Sequence, residues 1–231
     1  MKSKVLLLHG ALGSSKQFAP LIALLSDSFE LYDLNFEGHG GRNSDNDFSI
    51  QLFTENVKSF LEEKGISKIN IFGYSMGGYV ALNLAHKYPG VVENILTLGT
   101  KFDWTEESAN RETRMLNPVK IEEKVPKFAG MLKELHAPLD WKELMHKTAQ
   151  MMLGMGAGEK LEADHLREIQ QKVVIGLGSE DKMVSREESE AAVRELPQAK
   201  FRLLEGVQHP IDRVDPQTLA NYISEEFSHN Q

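Results

Sequence analysis

In residues 70–90, "NIFGYSMGGYVALNLAHKYPG", a serine stands two residues from a glycine on either side, with a strand-like run before it and a helix-like run after it. Glycine gives up more backbone freedom on folding than any other residue. The cluster Gly73-x-Ser75-x-Gly77-Gly78 therefore marks a backbone demand that other residues do not meet. The strand-like run ends at Gly73 and the helical pattern begins at about Met76, so the chain must reverse within three residues. Such a turn drives Ser75 toward an unfavourable φ/ψ region and brings positions 73 and 77 together, where a Cβ would collide. Gly78 lets the helix lie against a neighbouring strand. Val80, Ala81, Leu84 and Ala85 give it a small apolar face, and Tyr88-Pro89-Gly90 ends it. The competing account makes Ser75 a helix N-cap without chemistry.

Six short runs read as buried strands: residues 5–8, 29–34, 69–72, 95–98, 173–177 and 201–204. They are mostly aliphatic or aromatic without clean alternation, which suits strands covered on both faces. Helical patterns at 18–25, 50–63, 79–86 and 186–195 separate most of them, and an amphipathic pattern at 219–227 closes the chain. Alternation of this kind predicts a parallel sheet with right-handed crossovers.

More than seventy residues separate Leu98 from Val173, too many for a simple crossover. A structureless loop of that length is rare, so a helical insertion over one edge of the sheet is expected. It carries Trp104, Trp141 and six of the nine methionines, at positions 115, 131, 145, 151, 152 and 155. Methionine fills irregular cores; the alternative is a set of thioethers lining an apolar pocket above Ser75. No internal repeat, low-complexity segment or interdomain linker interrupts the chain.

The length of 231 residues fits one α/β domain with helices on both faces of a sheet. A formal net charge of −8 argues against a nucleic-acid or anionic-membrane partner. The absence of cysteine excludes disulfides, thiolate metal sites and a cysteine nucleophile. The apolar run before His9 has four residues, short of the roughly 7–15 of a signal peptide. No segment approaches the 18 or so apolar residues of a membrane span. A cytoplasmic protein is expected.

A serine hydroxyl needs a base, and the base needs an orienting acid. "GLGSEDKMVSREESE", after the fifth strand run, offers Glu180 and Asp181; "GVQHPIDRV", after the sixth, offers His209. All three candidates follow carboxyl ends of parallel strands, which a parallel sheet makes neighbours in space. The first strand run leads into His9-Gly10. Gly10 allows a turn that aims the Ala11 N–H at a substrate oxygen, and the Met76 N–H would supply a second donor. His9 itself reads as a structural hydrogen-bond partner of its loop.

With these motifs in order, the sequence resembles an α/β-hydrolase. "HGALG", "GYSMGG", "GSEDKMV" and "GVQHPID" stand where that superfamily carries its oxyanion loop, nucleophile elbow, acid and base, and "NFEGHGGR" at 35–42 resembles its Gly-His-Gly loop. The resemblance implies a three-layer α/β-hydrolase fold with Ser75 as nucleophile, Asp181 as acid, His209 as base, and Ala11 and Met76 as oxyanion hole. There is no room before Val5 for the family's antiparallel first pair. Six strands, mostly parallel, in the order 2-1-3-4-5-6 are therefore expected, with residues 1–100 and 170–231 as core and 101–169 as a helical lid.

The function expected is hydrolysis of carboxylic esters or thioesters with a modest apolar acyl group. No cofactor or metal is called for, the partner is a small molecule, and the oligomeric state stays open. A carbon–carbon bond hydrolase of the menaquinone-pathway type is the nearest rival, although Tyr79 stands where those enzymes usually carry an arginine. A ligand receptor with vestigial turnover is the other alternative. Among competing residues, Asp103 could orient His209, and Asp212 reads as a turn cap. The Glu-x-x-His pairs Glu143/His146 and Glu162/His165 have the spacing of di-metal bundles, but nothing pairs them, and solvated helix faces are expected. "GMGAG" at 154–158 lacks the preceding strand and the lysine of a phosphate loop.

Overall fold

A computed structural model describes residues 2–228. Six strands form one sheet: β1 (Ser3–Leu8), β2 (Phe29–Asp33), β3 (Ile69–Tyr74), β4 (Val92–Leu98), β5 (Lys172–Gly178) and β6 (Ala199–Leu204). Their order is β2-β1-β3-β4-β5-β6 and every pairing is parallel. The expected order is therefore the observed one. β4 begins three residues earlier than the apolar run suggests, because Val92 pairs with Ile69 across the exposed Glu93.

Residues along each strand alternate between two cores. Leu6, Leu8, Ile69, Ile71, Ile95, Val173 and Ile175 face α2 (Ile50–Glu63), α3 (Met76–Lys87) and α9 (Arg186–Glu195). Val5, Leu7, Phe72, Leu96, Leu98 and Val174 face α1 (Ala19–Leu25) and α10 (Pro216–Ser228). Both faces being covered explains why the strands read as continuous apolar runs. Ile71 is wholly buried, so Ile71→Ala would cost about 2–5 kcal/mol.

Between β4 and β5 the chain runs through α4 (Glu106–Thr113), α5 (Pro118–Lys124), α6 (Pro126–His136), α7 (Trp141–Gly156) and α8 (Ala163–Arg167). Each start has a local cause. The side chains of Thr105, Asn117 and Asp140 accept the orphan N–H groups of α4, α5 and α7, and Pro118 and Pro126 sit at helix starts where no N–H is needed. Met151 and Met155 pack with Trp104 and Ala109 against the α2–α3 face of the sheet, while Met145 joins a separate cluster with Ile121, Ala129, Leu132 and Trp141. These three methionines are core residues, whereas Met115 and Met131 are exposed. His165 accepts the Glu162 N–H in the first turn of α8, and Glu143 and His146 lie exposed on α7.

Candidate active site

Register brings the carboxyl ends of the central strands level. Leu8 pairs with Gly73, Tyr74 with Leu98, Leu98 with Gly176 and Gly178 with Leu204. Ser75 follows β3 directly, with φ 51° and ψ −117°. That conformation costs roughly 1–3 kcal/mol in a non-glycine residue and persists only where the surroundings dictate it. They do so here. The Ser75 N–H donates to Leu98 O at 2.8 Å, and the Thr100 hydroxyl donates to Ser75 O at 2.9 Å.

The flanking glycines are explained by distance. A Cβ at Gly73 would stand 2.4 Å from the backbone of Gly78, and one at Gly77 would stand 2.2 Å from Leu8 O. At Gly78 it would meet the Thr100 hydroxyl at 2.1 Å. The strand, the turn and the first helical turn of α3 are pressed together as the glycine spacing requires. Ser75 occupies the N-cap position of α3, yet its side chain makes no capping bond, so the simple N-cap account of this serine fails. Met76 is the first residue of α3, and an N–H at that position has no partner within the helix.

Asp181 and His209 meet. The His209 Nδ1 lies 2.7 Å from Asp181 Oδ2, with the two side chains 10% and 2% exposed. The other carboxylate oxygen accepts N–H groups of Met183 and Val184 at 2.8 and 3.0 Å. Burial alone would raise the Asp181 pKa; the hydrogen bond and charge of His209, with the two backbone donors, outweigh it and hold the carboxyl below its ordinary value. An ionised carboxylate at Oδ2 makes Nδ1 the donor, which leaves Nε2 of a neutral imidazole as a base.

The loops that carry this pair are stitched together and to the serine. The Glu180 N–H donates to Val207 O at 3.0 Å, and the Gly206 N–H to the Ser179 hydroxyl at 2.9 Å. A Cβ at Gly99, after β4, would be 3.2 Å from both Asp181 Oδ2 and His209 Nδ1. One at Gly10, after β1, would be 3.2 Å from Ser75 Cβ. The Tyr74 hydroxyl, one residue before Ser75, donates to His209 O at 2.7 Å. Hence the ends of β1, β3, β4, β5 and β6 gather Ala11, Ser75, Asp181 and His209 at one edge of the sheet.

Other acidic candidates are engaged elsewhere. Glu180 is exposed and accepts from Gln208, Asp212 accepts from Gln17, and Asp103 is exposed, with its carbonyl bonded to Ser108. His9 is wholly buried: its Nδ1 bonds Gly10 O at 2.8 Å and its Nε2 accepts the Phe36 N–H at 3.2 Å, the structural role expected for it. Tyr74 was not legible as a site residue, because its partner is a backbone carbonyl 135 residues away.

Residues 4–129 match the family model for the alpha/beta hydrolase fold, and the chain belongs to that family. Among named relatives, a protein of Wickerhamomyces anomalus called "Probable alcohol acetyltransferase" is 28% identical over 96 residues, 41% of this chain and 28% of its own length. A "Serine hydrolase-like protein" of Danio rerio is 31% identical over 99 residues, 42% of this chain and 30% of its own. The chain thus spans less than a third of the length of either relative. A thermophilic esterase of Thermogutta terrifontis superposes with a TM-score of 0.78 at 20% identity, over 99% of this chain and 90% of that one. Among the described residues no helix is long and apolar enough to cross a membrane.

Proposed function

We propose that this chain is a serine hydrolase of carboxylic esters or thioesters with a modest apolar acyl group. The Ser75 hydroxyl attacks the carbonyl carbon while His209 Nε2 takes its proton. Asp181 holds the imidazole tautomer and balances its positive form. The oxyanion is received by the N–H groups of Ala11 and Met76, a donor pair of which each member is worth about 3 kcal/mol of barrier. Collapse expels the alcohol or thiol with the proton from His209. Water, deprotonated by the same imidazole, then frees the acid from Ser75.

The observation that carries this reading is the buried His209–Asp181 hydrogen bond of 2.7 Å at the rim that also holds Ser75. The names of two relatives, "Serine hydrolase-like protein" and "Probable alcohol acetyltransferase", are in keeping with acyl chemistry. An alcohol in place of water in the last step would give ester exchange from the same acyl-enzyme. Tyr79 speaks against the carbon–carbon hydrolase alternative. Its hydroxyl is buried and accepts the Leu161 N–H at 2.8 Å, and burial raises its pKa, so this position offers no charge to an acidic substrate.

The test uses a fluorophosphonate probe and short p-nitrophenyl esters. Labelling at Ser75, with ester turnover lost in Ser75→Ala, is the expected result. Turnover that survives in Ser75→Ala, or a wild-type protein that neither labels nor hydrolyses, refutes the proposal.

A further inference from the structure

His136 ends α6 and is wholly buried, yet none of the chemistry above employs it. Its ring bridges two loops of the core. The Gly40 N–H donates to Nδ1 at 3.0 Å, and Nε2 lies 3.0 Å from Leu12 O. An accepting Nδ1 leaves the proton of the neutral ring on Nε2, so the ring donates to the Leu12 carbonyl.

Leu12 is an unusual residue to hold. Its φ is +58°, in the left-handed region. A bond of 3.1 Å from Gly13 N–H to Gly10 O closes a turn with Ala11 and Leu12 at its centre, where a positive φ at the third residue ordinarily calls for glycine or asparagine. Leucine stands there instead and packs its side chain against the cluster of Ile121, Ala129, Leu132, Trp141 and Met145. The β4–β5 connection thus grips this turn twice, by the side chain and by the carbonyl of one residue. The neighbouring loop fits as closely: a Cβ at Gly41 would stand 2.8 Å from Ala137 O.

We propose that His136 is a positioning residue that holds the 10–13 turn, and with it the Ala11 N–H, in the geometry an oxyanion hole requires. This rests on the reading of Ala11 as an oxyanion donor. Gly10 precedes Ala11 and has the broadest φ/ψ freedom of any residue, so the direction of that N–H has to be held from outside the turn. His9 fastens the near end through Gly10 O, and His136 fastens the far end through Leu12 O. The β4–β5 connection on this account completes the catalytic geometry as well as covering the core.

Three variants separate positioning from mere packing. His136→Phe keeps the ring and drops both bonds. His136→Asn keeps an acceptor near Nδ1 for Gly40 but falls short of Leu12. His136→Gln carries a donor out to the position of Nε2. Steady-state hydrolysis of a short p-nitrophenyl ester is measured for each folded variant, together with amide hydrogen exchange at residues 10–13 in the full chain.

The expected fall in kcat for the Phe and Asn variants is about 10- to 100-fold, short of the 10²–10³ of outright donor loss, with KM within about two-fold. Gln restores most of it. Exchange at 11–13 rises in the Phe and Asn variants while β3 and β4 stay protected. A kcat within two-fold of wild type in His136→Asn overturns the proposal, whatever the exchange shows, and leaves the hydrolase reading standing. That variant decides the matter should His136→Phe fail to fold. A wild-type protein that turns over no ester overturns the hydrolase reading and this one together.

Discussion

The hydroxyl of Tyr74 donates to the main-chain carbonyl of His209 at 2.7 Å, and the two rings lie 5.6 Å apart. The residue before the proposed nucleophile therefore holds the backbone of the proposed base. A hydrogen bond within β-sheet could not do this, because His209 lies on a loop beyond β6 while Tyr74 ends β3, and β4 and β5 lie between them. Tyr74→Phe keeps the ring and removes the bond. We expect a loss of about 1 kcal/mol of stability and a roughly three- to ten-fold fall in kcat from a base loop that wanders. Thermal melts and ester kinetics check both, and an unaltered kcat would show that the loop is held without Tyr74.

Strain at Ser75 leads to an opposite pair of effects. Glycine accepts φ 51° freely, so Ser75→Gly relieves roughly 1–3 kcal/mol while costing about 0.5–1 kcal/mol in unfolded-chain entropy. The variant should be inactive yet melt at the wild-type temperature or a few degrees above it. A clearly lower melting temperature would mean that the serine side chain supports the fold.

Gly99 has φ +65° and lies against both partners of the His209–Asp181 pair. In Gly99→Ala the new Cβ meets both at 3.2 Å in a backbone conformation that alanine resists by about 1–2 kcal/mol. Ester turnover and fluorophosphonate labelling should both slow by ten-fold or more. Labelling at the wild-type rate would place the pair further from the reacting serine than proposed.

Acid should destabilise the fold through His9. Burial pushes this imidazole down to about 4 from the usual 6.5, against the hydrogen bond to Gly10 that favours its charge. The unfolded chain then binds more protons than the folded one between pH 6.5 and about 4, so stability falls as pH drops through that window, by about 1.4 kcal/mol per unit. Above pH 6.5 the contribution is constant. Urea unfolding at pH 7 and pH 5 should differ by about 2 kcal/mol from this group, and His9→Asn, which does not titrate there, should show a shallower slope. Equal slopes would mean that His9 is charged in the folded protein or titrates alike in both states.

Much of this molecule was legible because its sharpest demands are local. Gly73, Gly77 and Gly78 are required by approaches of 2.1–2.4 Å within one strand–turn–helix unit, to the end of β1 or to the loop after β4, and only one residue type meets them. The parallel sheet followed from alternation of strand and helix, and its strand order from the resemblance to the α/β-hydrolases. The choice of Asp181 over Glu180 came from the resemblance alone, because side-chain alternation says only that the two do not both face one histidine.

Contacts to main-chain atoms were another matter. Tyr74 to His209 O and His136 to Leu12 O join residues 135 and 124 positions apart, and a backbone carbonyl leaves no mark in a sequence. His136 looks like any helix-terminal histidine, and Leu12 like any apolar loop residue. The long β4–β5 connection could be read as helical, but where its helices land depends on side-chain packing among Trp141, Met145, Leu132 and Leu12. Such packing has no period and no motif; it exists only once the layers have come together. Residue type and spacing thus settled the turn and the parallel sheet, while the aim of each N–H and carbonyl awaited the folded chain.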